Sequence, residues 1–218
     1  MSDRSPLTAW LLANLPLLAV LAVLAASFGD EKSLAWFFRQ HRNAHPAIKE
    51  AMFLVSDWAI PALYAAWALL LAYGLRHGDA LAWRRVIVFA LLQVLVAFLA
   101  VRLLKMGLGR PRPWIHGDFG GDMAYQPFST AANYHSLPSG HTTESTGASA
   151  GLAAVLGRPL AGLALGGMNA LTGFSRIYLG EHHPTDVFFG LLCGNLVALG
   201  CLLFIPRRSN AARRSHAA

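Results

Sequence analysis

Residues 86–105 read VIVFALLQVLVAFLAVRLLK, an apolar run interrupted by one glutamine and one arginine and closed by Lys105. Nineteen residues of this kind suit a helix crossing roughly 30 Å of hydrocarbon, which takes about 20 residues. Working outward, residues 8–28, 51–74 and 185–205 carry the same signature, and two shorter runs occupy residues 142–157 and 160–174. The whole chain agrees: of 218 residues, 55% are hydrophobic and 13% charged, far from the balance of a soluble domain. The expected architecture is therefore all-α, one polytopic membrane domain over residues 1–218 with six transmembrane helices in a bundle.

The short runs contain Gly147-x-x-x-Gly151 and Gly162-x-x-x-Gly166, small residues one turn apart that let helix backbones approach closely. They read as buried helices packed together across the turn Gly157-Arg158-Pro159; the competing reading is a kinked hairpin that does not span. The first run follows Arg4 and ends near Ala25-Ala26-Ser27, which resembles a cleaved secretory signal, but its apolar core is long and a retained helix is expected. Cys193 and Cys201 lie within the last run and read as small apolar packing residues, with no disulfide or metal framework.

A net charge of +7 would suggest nucleic-acid binding in a soluble protein. Here no basic surface interleaved with aromatics supports that, and the cations gather at helix ends and in the tail 206–218, with Arg207, Arg208, Arg213 and Arg214. The 18 lysines and arginines divide evenly between the two membrane faces, so the tail cluster decides the orientation, with both termini cytoplasmic.

Parity then gathers the polar residues. Lys105 ends an outward helix and opens the longest loop, which closes on SLPSGH at residues 136–141; the next outward helix ends at Ser175-Arg176, and the last inward one starts near Thr185. Lys105, Arg112, Ser139, His141, Arg176, His182 and Asp186 thus share one face. Lysine and arginine match phosphate oxygens in charge, and arginine also in fork geometry. Ser139 and Gly140 open a helix whose free N–H groups and dipole favour an anion, although Ser139 as a simple N-cap explains the same residues. In His182-x-x-x-Asp186 the carboxylate lies one turn from the imidazole, where it can hold one ring nitrogen as N–H and leave the other to attack. A metal is not expected, because the neighbouring cations would repel it and third ligands are lacking.

These residues resemble the three-part signature of the type 2 phosphatidic acid phosphatase superfamily: Lys105-x6-Arg112-Pro113, Pro138-Ser139-Gly140-His141 and Ser175-Arg176-x5-His182-x3-Asp186. The resemblance covers the motif core 105–186, and the helix pattern is similar to the membrane-bound branch over most of the rest. It implies that His182 attacks phosphorus and forms a phosphohistidine, that Asp186 orients it, and that His141 protonates the leaving oxygen and then activates water. Lys105, Arg112, Arg176, Ser139 and the N–H of Gly140 would hold the phosphoryl oxygens, with no cofactor.

The implied substrate is a lipid phosphate presented by the bilayer: phosphatidic acid, phosphatidylglycerophosphate, undecaprenyl pyrophosphate or a lipid A phosphate. In a bacterium the site would face the periplasm from the inner membrane. A phosphotransferase sharing the same phosphohistidine is the neighbouring alternative, and a non-catalytic anion or lipid transporter the more distant one. Residues 114–134, with Trp114, Phe119, Tyr125 and Phe128, read as an interfacial lid. Arg110 reads as a loop cation or headgroup contact, His183 as a bystander and Glu144 as a dipole-compensating acid; Asp57 reads as a residue of the substrate entrance or a structural hydrogen-bonder.

Overall fold

A computed structural model describes residues 5–115 and 124–203, and the regular elements among them are all helical. Arg4, Phe119 and the basic tail lie outside the described residues. Helix α1 (Pro6–Ser27) is capped by Ser5, whose Oγ accepts the Thr8 N–H at 3.3 Å, and has proline in its first turn. Then follow α2 (Glu31–Ala44), α3 (Pro46–Arg76) and α4 (Ala80–Gln93), which continues through a π-helical segment, Val94–Ala100, into α5 (Val101–Leu108). A left-handed Gly109 ends that helix just after Lys105. A 3-10 turn, Ala132–Tyr134, precedes α6 (Gly140–Leu156), α7 (Pro159–Tyr178) and α8 (Pro184–Leu203).

By length and composition four stretches among the described residues suit a membrane crossing: Pro6–Ser27, Pro46–Arg76, Ala80–Ile115 and Pro184–Leu203. Helix α6 is less apolar because it sits inside the bundle, buried along most of its length, whereas α7 is buried on one side and exposes Leu160, Leu163 and Leu171 on the other. In α6, Thr142, Thr143, Ser145, Thr146 and Ser149 are all fully buried. Their hydroxyls are satisfied locally or by Asn169 of α7, whose Oδ1 accepts from Ser145 at 2.7 Å and Thr146 at 3.1 Å. Buried hydroxyls with partners do not carry the penalty that orphaned ones would.

The two short helices pack together as expected, through Ser145 and Thr146 on Asn169, but their glycine motifs face other helices. A Cβ on Gly162 would meet Ala9 O at 2.3 Å and one on Gly166 would meet Ala13 O at 2.8 Å, so that pair seats α7 on α1. Gly147 faces Gln93 and Val197, and Gly151 faces Trp67 and Cys201. The closest packing of α6 is against α8, where a Cβ on Gly190 would lie 2.7 Å from Ser139 O and one on Gly194 2.5 Å from Thr146 Cβ. This contact brings the heads of α6 and α8 together, and the site is built there.

Below the site, Trp67 stacks on Phe89 with ring centroids 4.0 Å apart and donates to Ala148 O at 2.9 Å. Cys201 packs in that cluster, and both cysteines are free thiols. Helix α2 has no counterpart among the expected spans. It is amphipathic, with Leu34 and Phe38 buried and Trp36 and Phe37 exposed, and Asp30 caps it by accepting two backbone N–H groups at 2.8 Å.

Candidate active site

The residues that parity assigned to one face do converge. Ser139 caps α6: its Oγ accepts the Thr142 hydroxyl at 3.0 Å, and its carbonyl accepts the Thr143 hydroxyl at 2.9 Å. Its own N–H donates to Asp186 O at 2.9 Å, tying the two helix heads through the backbone. Gly140 leaves space filled from the other side by Lys105: a methyl placed there would stand 3.5 Å from Nζ. Next in sequence, His141 is half-buried, with Lys105, Arg112 and Arg176 all near enough to act on it electrostatically.

Arg176 is buried, donates to Ser56 Oγ at 2.6 Å, and approaches Glu181 at 3.4 Å. Arg112 also pairs with Glu181, and its Nε donates to Ala132 O at 3.1 Å. Two of the three expected phosphate-binding cations are therefore gathered by a single carboxylate. Glu181 stands immediately before His182 in the chain, so it and the imidazole are delivered by the same turn. Nε of Arg176 is buried with no hydrogen-bond partner.

His182 is 2% exposed, and its Nδ1 lies 3.8 Å from Asp186 Oδ2, close for an ion pair and long for a hydrogen bond. Burial pushes this imidazole down to about 3, although Asp186 pulls in the opposite direction. Asp186 is fully buried. Its Oδ2 accepts the Ser136 hydroxyl at 2.5 Å and the His183 N–H at 2.8 Å, while Oδ1 accepts Arg110 Nη1 at 2.6 Å. The backbone bond from His183 is the return half of a capping box at the head of α8.

Several of these contacts were not legible in the motifs. Ser136, Glu181 and Ser56 serve the site without belonging to it by sequence. Arg110 is a ligand of Asp186 rather than a headgroup contact, and His183, read as a bystander, supplies its backbone N–H. Glu144 is fastened by the Tyr64 hydroxyl at 3.2 Å, and Gln93 holds both Tyr64 OH and Glu144 O at 3.0 Å. Asp57 is exposed and acts on Arg176 electrostatically. Of the aromatic lid residues, Tyr125 and Phe128 are exposed, and no group of three metal-ligating side chains occurs among the described residues.

A helical membrane protein with cations, imidazoles and a buried carboxylate at one end of its bundle is the class defined so far. The PAP2 superfamily pattern matches residues 83–210, more than half of the chain and the whole stretch from Lys105 to Asp186, and the chain belongs to that superfamily. It is similar to a Lipid A 1-phosphatase of Rhizobium etli, with 36% identity over 106 residues, 49% of this chain and 44% of that protein. A Lipid A 1-phosphatase of Rhizobium johnstonii is 34% identical over 101 residues, 46% of this chain and 40% of that protein. The aligned part thus spans less than half the length of these relatives. No solved structure matches.

Proposed function

We propose that the protein is a metal-independent phosphatase of membrane lipid phosphates, acting through a phosphohistidine on His182. The observation that carries this reading is the meeting of three separate motifs at the joined heads of α6 and α8. Lys105 lies against Gly140, Asp186 lies against His182, and Arg112 and Arg176 share Glu181.

In the first step neutral His182 attacks phosphorus through Nε2, a P–N bond forms, and the bond to the leaving lipid oxygen breaks as His141 gives that oxygen a proton. In the second, His141 takes a proton from water, whose oxygen attacks phosphorus and releases inorganic phosphate and free His182. Asp186 keeps Nδ1 of His182 as the protonated nitrogen. Lys105, Arg112, Arg176 and the amino end of α6, with Ser139 and the Gly140 N–H, stabilise charge on the equatorial oxygens, which is most of what phosphoryl transfer asks of a protein. Substrate phosphate displaces Glu181 from the two guanidiniums.

The membrane setting supports a lipid substrate, and the names of the two relatives put a lipid A phosphate first, ahead of phosphatidic acid, phosphatidylglycerophosphate and undecaprenyl pyrophosphate. We further read α6 and α7 as interior spans, giving six in all, with cytoplasmic termini and the site on the periplasmic side of an inner membrane. The test is phosphate release by purified protein from these four lipids, with His182→Ala as control. Release from at least one lipid, abolished in the variant, is expected. Release from none would overturn the reading, and a new phospholipid in place of inorganic phosphate would make the protein a transferase.

A further inference from the structure

Helix α2 lies outside every motif, yet its first residue reaches the centre of the site. Glu31 Oε1 accepts the Thr185 N–H at 2.9 Å and the Thr185 hydroxyl at 2.8 Å, across 154 positions of sequence. Its Oε2 takes Arg110 Nη2 at 2.6 Å, while Nη1 of the same guanidinium donates at 2.6 Å to both Thr185 Oγ1 and Asp186 Oδ1. The side chains become progressively drier along this row: Glu31 is 29% exposed, Arg110 13% and Asp186 0%. Both edges of one planar fork are in use, which a lysine cannot reproduce.

We propose that Glu31 is a positioning residue for the reaction, acting through Arg110 to hold Asp186 and the head of α8 at the nucleophile. This rests on the phosphohistidine reading. Asp186 has spent Oδ2 on Ser136 and on the His183 N–H, so the angle its carboxylate presents to His182 depends on what grips Oδ1. Arg110 grips it. Glu31 fixes the far side of that guanidinium and balances its charge, so that Arg110 stays on the carboxylate instead of turning toward the phosphate with the other three cations. Glu31 also occupies the amino end of α8 with negative charge, satisfying an N–H that the helix leaves unpaired. A residue acting this way affects the attacking geometry, and ground-state binding of the lipid much less.

The experiment is steady-state kinetics of the full-length protein in detergent micelles with the best lipid of the panel, for Glu31→Ala, Glu31→Gln, Arg110→Ala, Arg110→Lys and the double alanine variant. Expected are a loss in kcat of about 100-fold for Arg110→Ala and Arg110→Lys and about 10-fold for Glu31→Ala, with KM within about twofold. Glu31→Gln, whose amide oxygen still accepts from Thr185 but whose NH2 would face Arg110 without charge, loses kcat about as much as Glu31→Ala, which separates the grip on Arg110 from the contact to Thr185. The double variant is no slower than Arg110→Ala alone, because the two residues act in series. A raised KM at unchanged kcat, multiplying losses in the double variant, or wild-type rates throughout would each overturn the proposal. Should Glu31→Ala fail to fold, Glu31→Gln and Arg110→Lys carry the same test, each expected to lower kcat at nearly unchanged KM. An inactive wild type would instead indict the parent reading.

Discussion

Two helices present their amino ends to the same site and are finished in opposite ways. The head of α6 is open: Ser139 caps it, Gly140 contributes no side chain, and the nearest foreign group is the Lys105 ammonium. The head of α8 is already full, with the carboxylates of Glu31 and Asp186 taking the N–H groups of Thr185 and His183. Both dipoles favour an anion, and at α8 two carboxylates of the protein already hold that place. The protein thus separates two tasks. On the proposed mechanism, one helix head receives phosphate and the other holds the attacking imidazole.

The largest break in that contrast is at the closed head. Asp186→Asn keeps the shape but removes the charge opposite His182, and turnover should fall on the order of 10⁴-fold, with little change in KM. An unchanged kcat would mean that Asp186 only caps α8. Next comes the open head: His141→Gln should lower kcat by about 10²- to 10⁴-fold, as loss of a general acid does, while lipid binding measured by KM stays close to wild type. Gly190→Ala attacks the junction itself. Its Cβ would stand 2.7 Å from Ser139 O, so the two heads must part; activity should fall about 100-fold together with the melting temperature, and an active, equally stable variant would show that the junction is not needed. The smallest changes sit at the position proposed for phosphate. Ser139→Ala should cost about 1 kcal/mol of stability by thermal melting. Glu181→Gln should lower KM severalfold by removing the carboxylate that competes for Arg112 and Arg176.

The heads also differ in how pH reaches them. Because burial lowers His182 to about 3, from 6.5 for an exposed imidazole, its ring is neutral over the whole working range, as the proposed attack requires. Protonation abolishes attack, so the acid limb of kcat/KM due to this group lies near 3. The same shift makes folding favour the unprotonated form: the stability from His182 is complete above pH 6.5 and is lost as pH falls toward 3. A nucleophile limb at 6.5, removed by no other substitution, would contradict a buried His182.

What the sequence carried was the superfamily and the gathering of its motif residues at one end of the bundle. Lys105, His141, Arg176 and His182 could be placed together from helix parity alone, because each sits at the end of an apolar run. Hydropathy said less about α6 and α7, whose threonines, serines and glycines are buried against protein. It said nothing of Gly190 and Gly194, which look like ordinary small residues until α6 is laid against them. Glu31 was invisible for another reason: its role depends on α2 folding back over the head of α8, a long-range contact no local pattern encodes. Glu181 lay in plain sight beside His182, but a carboxylate among phosphate-binding cations is intelligible only once Arg112 and Arg176 are seen to close on it.

The central claim is that His182 becomes covalently phosphorylated. Rapid quench in alkaline detergent of the protein with a ³²P-labelled lipid phosphate, followed by peptide mapping, tests it directly. A base-stable, acid-labile label on His182, absent from His182→Ala, is the result expected; brisk phosphate release with no label, or with label on another residue, would contradict it.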